Sequence, residues 1–103
     1  MKQITSEKDF NELINDEKLS LIDFYADWCA PCQMIKPILE KLDSKYDNVN
    51  IGKVNVDNLP QIAGKFGVMG IPTLIFFKSG NQVETIVGLR SEDDLSNIIE
   101  NHS

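Results

Sequence analysis

Apolar positions along the chain recur with two different periods, and the points where the period changes mark out the elements. Behind Ser6, with Asp9 three residues on, Phe10, Leu13 and Ile14 recur at helical spacing. This is a capping-box arrangement with Asp in place of the usual Glu. Leu19-Ser20-Leu21-Ile22-Asp23-Phe24-Tyr25 is rich in branched and aromatic residues and reads as a strand buried on both faces. From about Cys29 the period becomes helical again, with Ile35, Ile38, Leu39, Leu42 and Tyr46 on one face. Pro37 inside that helix removes a backbone hydrogen bond and should bend the axis.

The second half continues the alternation. Asn50 to Val56 predicts a strand, and Asp57-Asn58-Leu59-Pro60 predicts the start of a short helix ending near Gly67. Thr73–Lys78 and Gln82–Val87 flank Ser79-Gly80-Asn81 and together predict a β-hairpin. Ser91, with Asp94 three residues on, starts a last helix carrying Leu95, Ile98 and Ile99. The order is αβαβαββα. Strands joined through helices pair in parallel and a hairpin is antiparallel, so the expected fold is α/β, a central mixed sheet flanked by helices on both faces.

Composition narrows the function. At 103 residues with no repeat, linker or low-complexity tract, residues 1–103 are expected to form a single domain. Ten Lys/Arg against sixteen Asp/Glu give a charge of −6, which argues against nucleic-acid binding. Leu21–Tyr25 and Ile71–Phe77, the longest strongly apolar stretches, are broken by Asp23 or by Pro72 and Thr73. They fall far short of the roughly 20 apolar residues of a membrane span, so no membrane partner is expected. Met1 to Glu7 carries no apolar signal core, which makes a cytoplasmic location the expectation. The charge is uneven: residues 61–80 hold two lysines and no acid, whereas residues 81–103 hold one arginine and five acids.

Two cysteines, Cys29 and Cys32, are separated by two residues, and the one histidine, His102, lies at the end of the chain. A loop that short constrains little of the unfolded chain, so a disulfide scaffold is a poor explanation, and a four-ligand zinc site is as hard to assemble. Neither a metal nor a cofactor is expected. Trp28-Cys29-Ala30-Pro31-Cys32 sits where a buried strand gives way to a helix, and that context makes Cys-x-x-Cys a redox candidate. A helix N-terminus offers unpaired N–H groups and partial positive charge, both of which favour a thiolate. Cys29, just outside the first turn, is therefore expected to be the exposed nucleophile, and Cys32, one turn inside, the shielded resolving thiol. Pro31 has its φ already set for a first turn. Asp23, in a buried strand, should titrate above a free Asp unless Lys53 offsets the desolvation. A carboxyl near neutrality suits general acid–base work.

The chain resembles the thioredoxin family over nearly its whole length. The similarity is carried by Asp23-Phe24-Tyr25-Ala26-Asp27-Trp28-Cys29-Ala30-Pro31-Cys32, Pro37-Ile38-Leu39, Val54-Asn55-Val56-Asp57, Gly70-Ile71-Pro72-Thr73-Leu74, Phe77-Lys78-Ser79-Gly80 and Val87-Gly88. The resemblance implies the thioredoxin fold and protein-disulfide reduction, with Cys29 attacking and Cys32 resolving. It implies that Asp23 mediates proton transfer for Cys32, with Lys53 as its partner. It also implies that Pro72 follows a cis peptide bond opposite the cysteines and that the backbone of Ile71 pairs with bound substrate. Trp28, Ala30, Pro31, Met69, Ile71, Pro72 and Gly88 then form the substrate-binding face. Implied partners are disulfide-containing client proteins and an NADPH-dependent thioredoxin reductase or another thiol donor, with the protein itself a monomer.

Blander readings stand beside these. The cysteines could be half of a zinc site shared between chains or two small hydrophobes, but neither explains Trp28, Pro31 and Pro72. Asp23 could be a structural acid satisfied by Lys53 or water, and Trp28 could cap the core. Met34 and Ile35 read as helix packing, His102 as incidental, and Glu92-Asp93-Asp94 as a solvated first turn. Ala30, Gln33 and Tyr25 depart from the family's frequent glycine, lysine and tryptophan. These changes bear on the reduction potential and on reductase recognition, and leave the reaction class intact. Rival functions are a disulfide oxidant or isomerase, and a binding or assembly subunit built on the same fold.

Overall fold

The protein is described here from a computed structural model covering residues 1–102. In chain order the elements are β1 (Lys2–Gln3), α1 (Glu7–Ile14), β2 (Leu19–Tyr25), α2 (Ala30–Lys45), β3 (Val49–Asn55), α3 (Pro60–Lys65), β4 (Thr73–Lys78), β5 (Asn81–Val87) and α4 (Glu92–His102). The strands form one sheet in the order β1-β3-β2-β4-β5. β1 and β2 run parallel to β3, and β4 is antiparallel to both β2 and β5.

The expected mixed sheet is present with one strand more than the pattern shows. β1 is two exposed residues with no alternation to betray it. It exists because the backbone of β3 offers an open edge, pairing Lys2 with Gly52 and Gln3 with Lys53. Gly52 makes the approach close: a Cβ there would fall 2.6 Å from Leu13 and 2.9 Å from Ile4. The hairpin turn is also tighter than expected. Ser79 and Gly80 both have positive φ, 51° and 83°, so two residues close the turn and Asn81 already belongs to β5. At α1 the Ser6 hydroxyl accepts from the Asp9 N–H at 3.1 Å, and the Asp9 carboxylate accepts from Thr5 rather than returning to Ser6.

Both faces of the sheet are covered. Leu19 and Leu21 of β2 pack with Ile35, Leu39 and Leu42 of α2 and with Leu95 and Ile99 of α4. Ile22 and Phe24 point the other way, toward Phe10 and Ile14 of α1 and Ile62 of α3. By the same alternation Asp23 and Tyr25 lie on the α2 face, and so does Lys53 on β3, which follows Val49 and Ile51 at steps of two. Register then lays a row across that face: Gln3, Lys53, Asp23, Leu74 and Ile86. The row turns from polar to apolar at Asp23. Among the described residues, no helix is long and apolar enough to cross a membrane.

Candidate active site

The end of β2 delivers Cys29 to the start of α2, where it is the N-cap residue in an extended conformation, φ −89° and ψ 112°. Its Sγ accepts the N–H of Cys32 at 3.3 Å, which satisfies one of the orphan donors of the first turn. Pro31 fills a first-turn position that has no N–H to satisfy. Cys29 and Cys32 are joined as a disulfide, with Cα atoms 5.3 Å apart. The expected contrast in exposure is absent, since both residues are 4% exposed. Ala26, Tyr25, Val56 and Ile71 pack around the pair and close over Cys29 as well as Cys32. What separates the two is their surroundings. Cys29 Sγ lies 3.7 Å from the carbonyl oxygen of Ile71, on the outer side. Cys32 faces an inner cavity.

On the outer side the chain crosses in front of the disulfide through Met69, Gly70, Ile71 and Pro72. The Ile71–Pro72 bond is cis, and Pro72 is buried directly before β4. Gly88, at φ 95°, donates its N–H to the Pro72 carbonyl at 2.8 Å and so ties the end of β5 to this loop. Exposed apolar side chains surround the region: Met69 is 99% and Trp28 73% exposed, so Trp28 is no core cap. Its indole N–H donates to Asp57 at 2.9 Å. Met34 is 60% exposed, which corrects its assignment to helix packing; Ile35 beside it is fully buried. Val87 and Leu89 also stand exposed on either side of Gly88. In the sequence Val87 and Asp57 stand only within motifs, with no site role assigned to them, and Leu89 is not picked out. Ala30 and Pro31 are exposed on the first turn of α2.

On the inner side a cavity of about 90 Å³ is lined by Asp23, Cys32, Tyr25, Gln33, Lys36 and Lys53, with Met1, Asp27 and Leu39 completing the wall. A cavity of this size with polar walls has room for several waters. Asp23 is 3% exposed, and among the described residues no group hydrogen-bonds its Oδ1. Burial pushes its carboxyl up to about 7, with the Lys53 charge pulling the other way and only partly offsetting it. Lys53 is half-buried and makes no direct ion pair with Asp23 among the described residues; its Nζ sits 4.9 Å from the centre of the Tyr25 ring. Gln33, where the family often has lysine, uses its amide to donate to the Asp27 carbonyl at 3.3 Å. A cation is supplied to the same wall by Lys36, one turn along α2.

The pair, the helix N-terminus and the near-neutral acid make an arrangement suited to thiol–disulfide exchange. Comparison with known proteins agrees. The family model described as Thioredoxin matches residues 1–101. The thioredoxin of Chlamydia caviae is 47% identical over 103 residues, covering 100% of both chains. That of Staphylococcus saprophyticus is 49% identical over 85 residues, covering 82% of each. Among solved structures, Fasciola hepatica thioredoxin superposes with a TM-score of 0.93 at 34% identity, covering 100% of both chains. A mutant thioredoxin from Halobacterium salinarum also gives 0.93, at 39% identity over 98% of this chain and 88% of that one.

Proposed function

The chain belongs to the thioredoxin family and is a thiol–disulfide oxidoreductase, and on that premise we propose that it reduces protein disulfides with Cys29 as nucleophile and Cys32 as resolving thiol. The observation that carries the assignment is the asymmetry around the pair. Cys29 Sγ is the acceptor at the N-terminus of α2, and Cys32 shares its cavity with Asp23. A thiolate at Cys29 is favoured by the Cys32 N–H and the helix terminus.

The reaction proceeds in two exchanges. The Cys29 thiolate attacks one sulfur of the client disulfide; a new S–S bond forms as the client bond breaks, and the client's leaving thiolate takes up a proton. Cys32 then passes its proton to ionised Asp23 through water in the cavity, and its thiolate attacks Cys29 Sγ. The second client sulfur leaves as a thiolate and takes up a proton, so the client has gained two electrons and two protons, and the Cys29–Cys32 disulfide has formed. Regeneration needs a two-electron donor, an NADPH-dependent thioredoxin reductase or another thiol donor. Lys53 limits how far burial raises Asp23, which keeps part of the population ionised near neutrality. Trp28, Ala30, Pro31, Met69, Ile71, Pro72 and Gly88 form the docking face, with the Ile71 backbone as pairing edge. The protein works as a single-domain monomer in the cytoplasm, where the thiol pool keeps the pair reduced.

Insulin-disulfide reduction tests this reading. Cys32→Ser should accumulate a mixed disulfide between Cys29 and the client, seen as a mass increase that dithiothreitol removes. Normal turnover by Cys32→Ser would overturn the two-step assignment.

A further inference from the structure

Two side chains that line the Asp23 cavity, Tyr25 and Lys53, form a closed circuit with Gln3 that the exchange reaction itself does not require. Gln3, Lys53 and Tyr25 come from β1, β3 and β2, which lie side by side in the sheet. The Tyr25 hydroxyl donates to Gln3 Oε1 at 3.0 Å. The Gln3 amide nitrogen donates to the Lys53 carbonyl at 3.4 Å, and the Ile4 N–H donates to the same oxygen at 2.9 Å. The Lys53 ammonium completes the circuit by sitting 4.9 Å from the centre of the Tyr25 ring. Lys53 and Asp23 stand directly opposite each other in register, and both line the cavity.

We propose that Tyr25 is a positioning residue: its ring holds the Lys53 ammonium at the mouth of the Asp23 cavity, and its hydroxyl ties that mouth to β1 through Gln3. A lysine side chain has a flexible four-carbon stem and a strong preference for water. With nothing to hold it, the ammonium would swing outward, and its effect on Asp23 would fall with distance and solvent screening. The ring face gives it a resting place facing the cavity. The other charged groups lining the Asp23 cavity are Lys36 on α2 and Asp27 beyond β2, both exposed, and Met1, whose terminal ammonium is paired with Asp43 at 2.9 Å, while Leu74 on the β4 side is apolar. Lys53 is therefore the half-buried cation of the set, and the one whose placement matters most. Gln3 braces the Lys53 backbone from β1, through its amide to the Lys53 carbonyl.

The test is titration of the Asp23 carboxyl by carbon-13 NMR in the oxidised protein. Lys53→Met should raise the midpoint most. Tyr25→Leu should raise it in the same direction by about half a pH unit, the size a partly exposed cation–π contact supports. Tyr25→Phe, which keeps the ring, should restore most of the wild-type midpoint. In a Lys53→Met background Tyr25→Leu should add nothing. An unmoved midpoint in Tyr25→Leu, or a shift that persists undiminished without Lys53, overturns the proposal. Should Tyr25→Leu not fold, Gln3→Met at the exposed strand edge carries the test: a smaller upward shift supports the circuit, and an unchanged midpoint overturns it. The kinetic meaning of the circuit rests on Asp23 serving Cys32, but the titration does not. A moved titration with an unmoved pH–rate profile would strike that proton-transfer role and leave the positioning role standing.

Discussion

The two sides of the disulfide invert the usual distribution of polarity. The outer side is exposed and apolar, with Trp28, Met69, Val87 and Leu89 in solvent. The inner side is recessed and ionisable, with Asp23 at 3% exposure beside its register partner Lys53 in a shared cavity. Neither arrangement favours the folded chain: exposed apolar area gains nothing from folding, and a desolvated carboxyl opposes it. On the proposed function, the difference teaches that one S–S bond separates two jobs, holding a partner and handling a proton, each at the expense of the residues stability alone would choose.

The strongest way to break the comparison is at the bond itself. Cys29→Ser should abolish insulin-disulfide reduction, whereas Cys32→Ser should retain the first exchange and stall after it. Equal loss with no trapped intermediate would mean the two sides do not divide the work.

The next effect isolates the inner side. Asp23→Asn should slow resolution and flatten the pH dependence of turnover near neutrality. It should also change stability with a definite sign. The folded pKa of about 7 lies above the unfolded value of 3.8. The native state therefore holds the proton more tightly, and its stability falls as pH rises through that window and levels off above it. Asp23→Asn should stabilise the protein at pH 8 by about 1–3 kcal/mol, within the limit set by about 1.4 kcal/mol per pKa unit. Below pH 4 the gain should vanish. Denaturant melts at the two pH values read both numbers, and an equal effect at both would remove the desolvation argument.

Substitutions on the outer side should do the reverse. Trp28→Ala should raise KM for a protein client about tenfold with little change in kcat, since an exposed aromatic anchor contributes roughly 1–2 kcal/mol to docking. Met69→Ser, at a fully exposed position, should give the smallest effect, a two- to threefold rise in KM, with thermal stability within about 0.5 kcal/mol of the parent. If either variant shifts the pH profile instead of KM, the separation of the two sides fails.

What could be read from the chain follows the range of the interactions. The Cys-x-x-Cys at a strand-to-helix junction, the buried Asp23 and the hairpin are local patterns, and each is present. Trp28 and Asp57 meet across 29 positions and Tyr25 and Gln3 across 22, and nothing near either residue announces its partner. β1 has no pattern because two residues cannot alternate; only the β3 edge makes them a strand. Met34 was miscounted because its apolar character is the same on either face of α2, and position beside Ile35 does not say which one turns inward. The expected exposure of Cys29 failed for a related reason: distance from the helix start says where the residue lies, and the covering by Ile71 comes from a loop 42 positions away.

The sulfur that caps α2 is also the sulfur that reacts, and this gives the helix a built-in reporter. In the disulfide the Cys32 amide donates to Cys29 Sγ, and a charged acceptor draws the proton more strongly than a neutral one. The nitrogen and proton resonances of that single amide should therefore move with the charge on Cys29. Followed against pH in the reduced protein, they would read the titration of the nucleophile through the backbone, and a Cys32→Ser variant would remove the resolving thiol's own contribution.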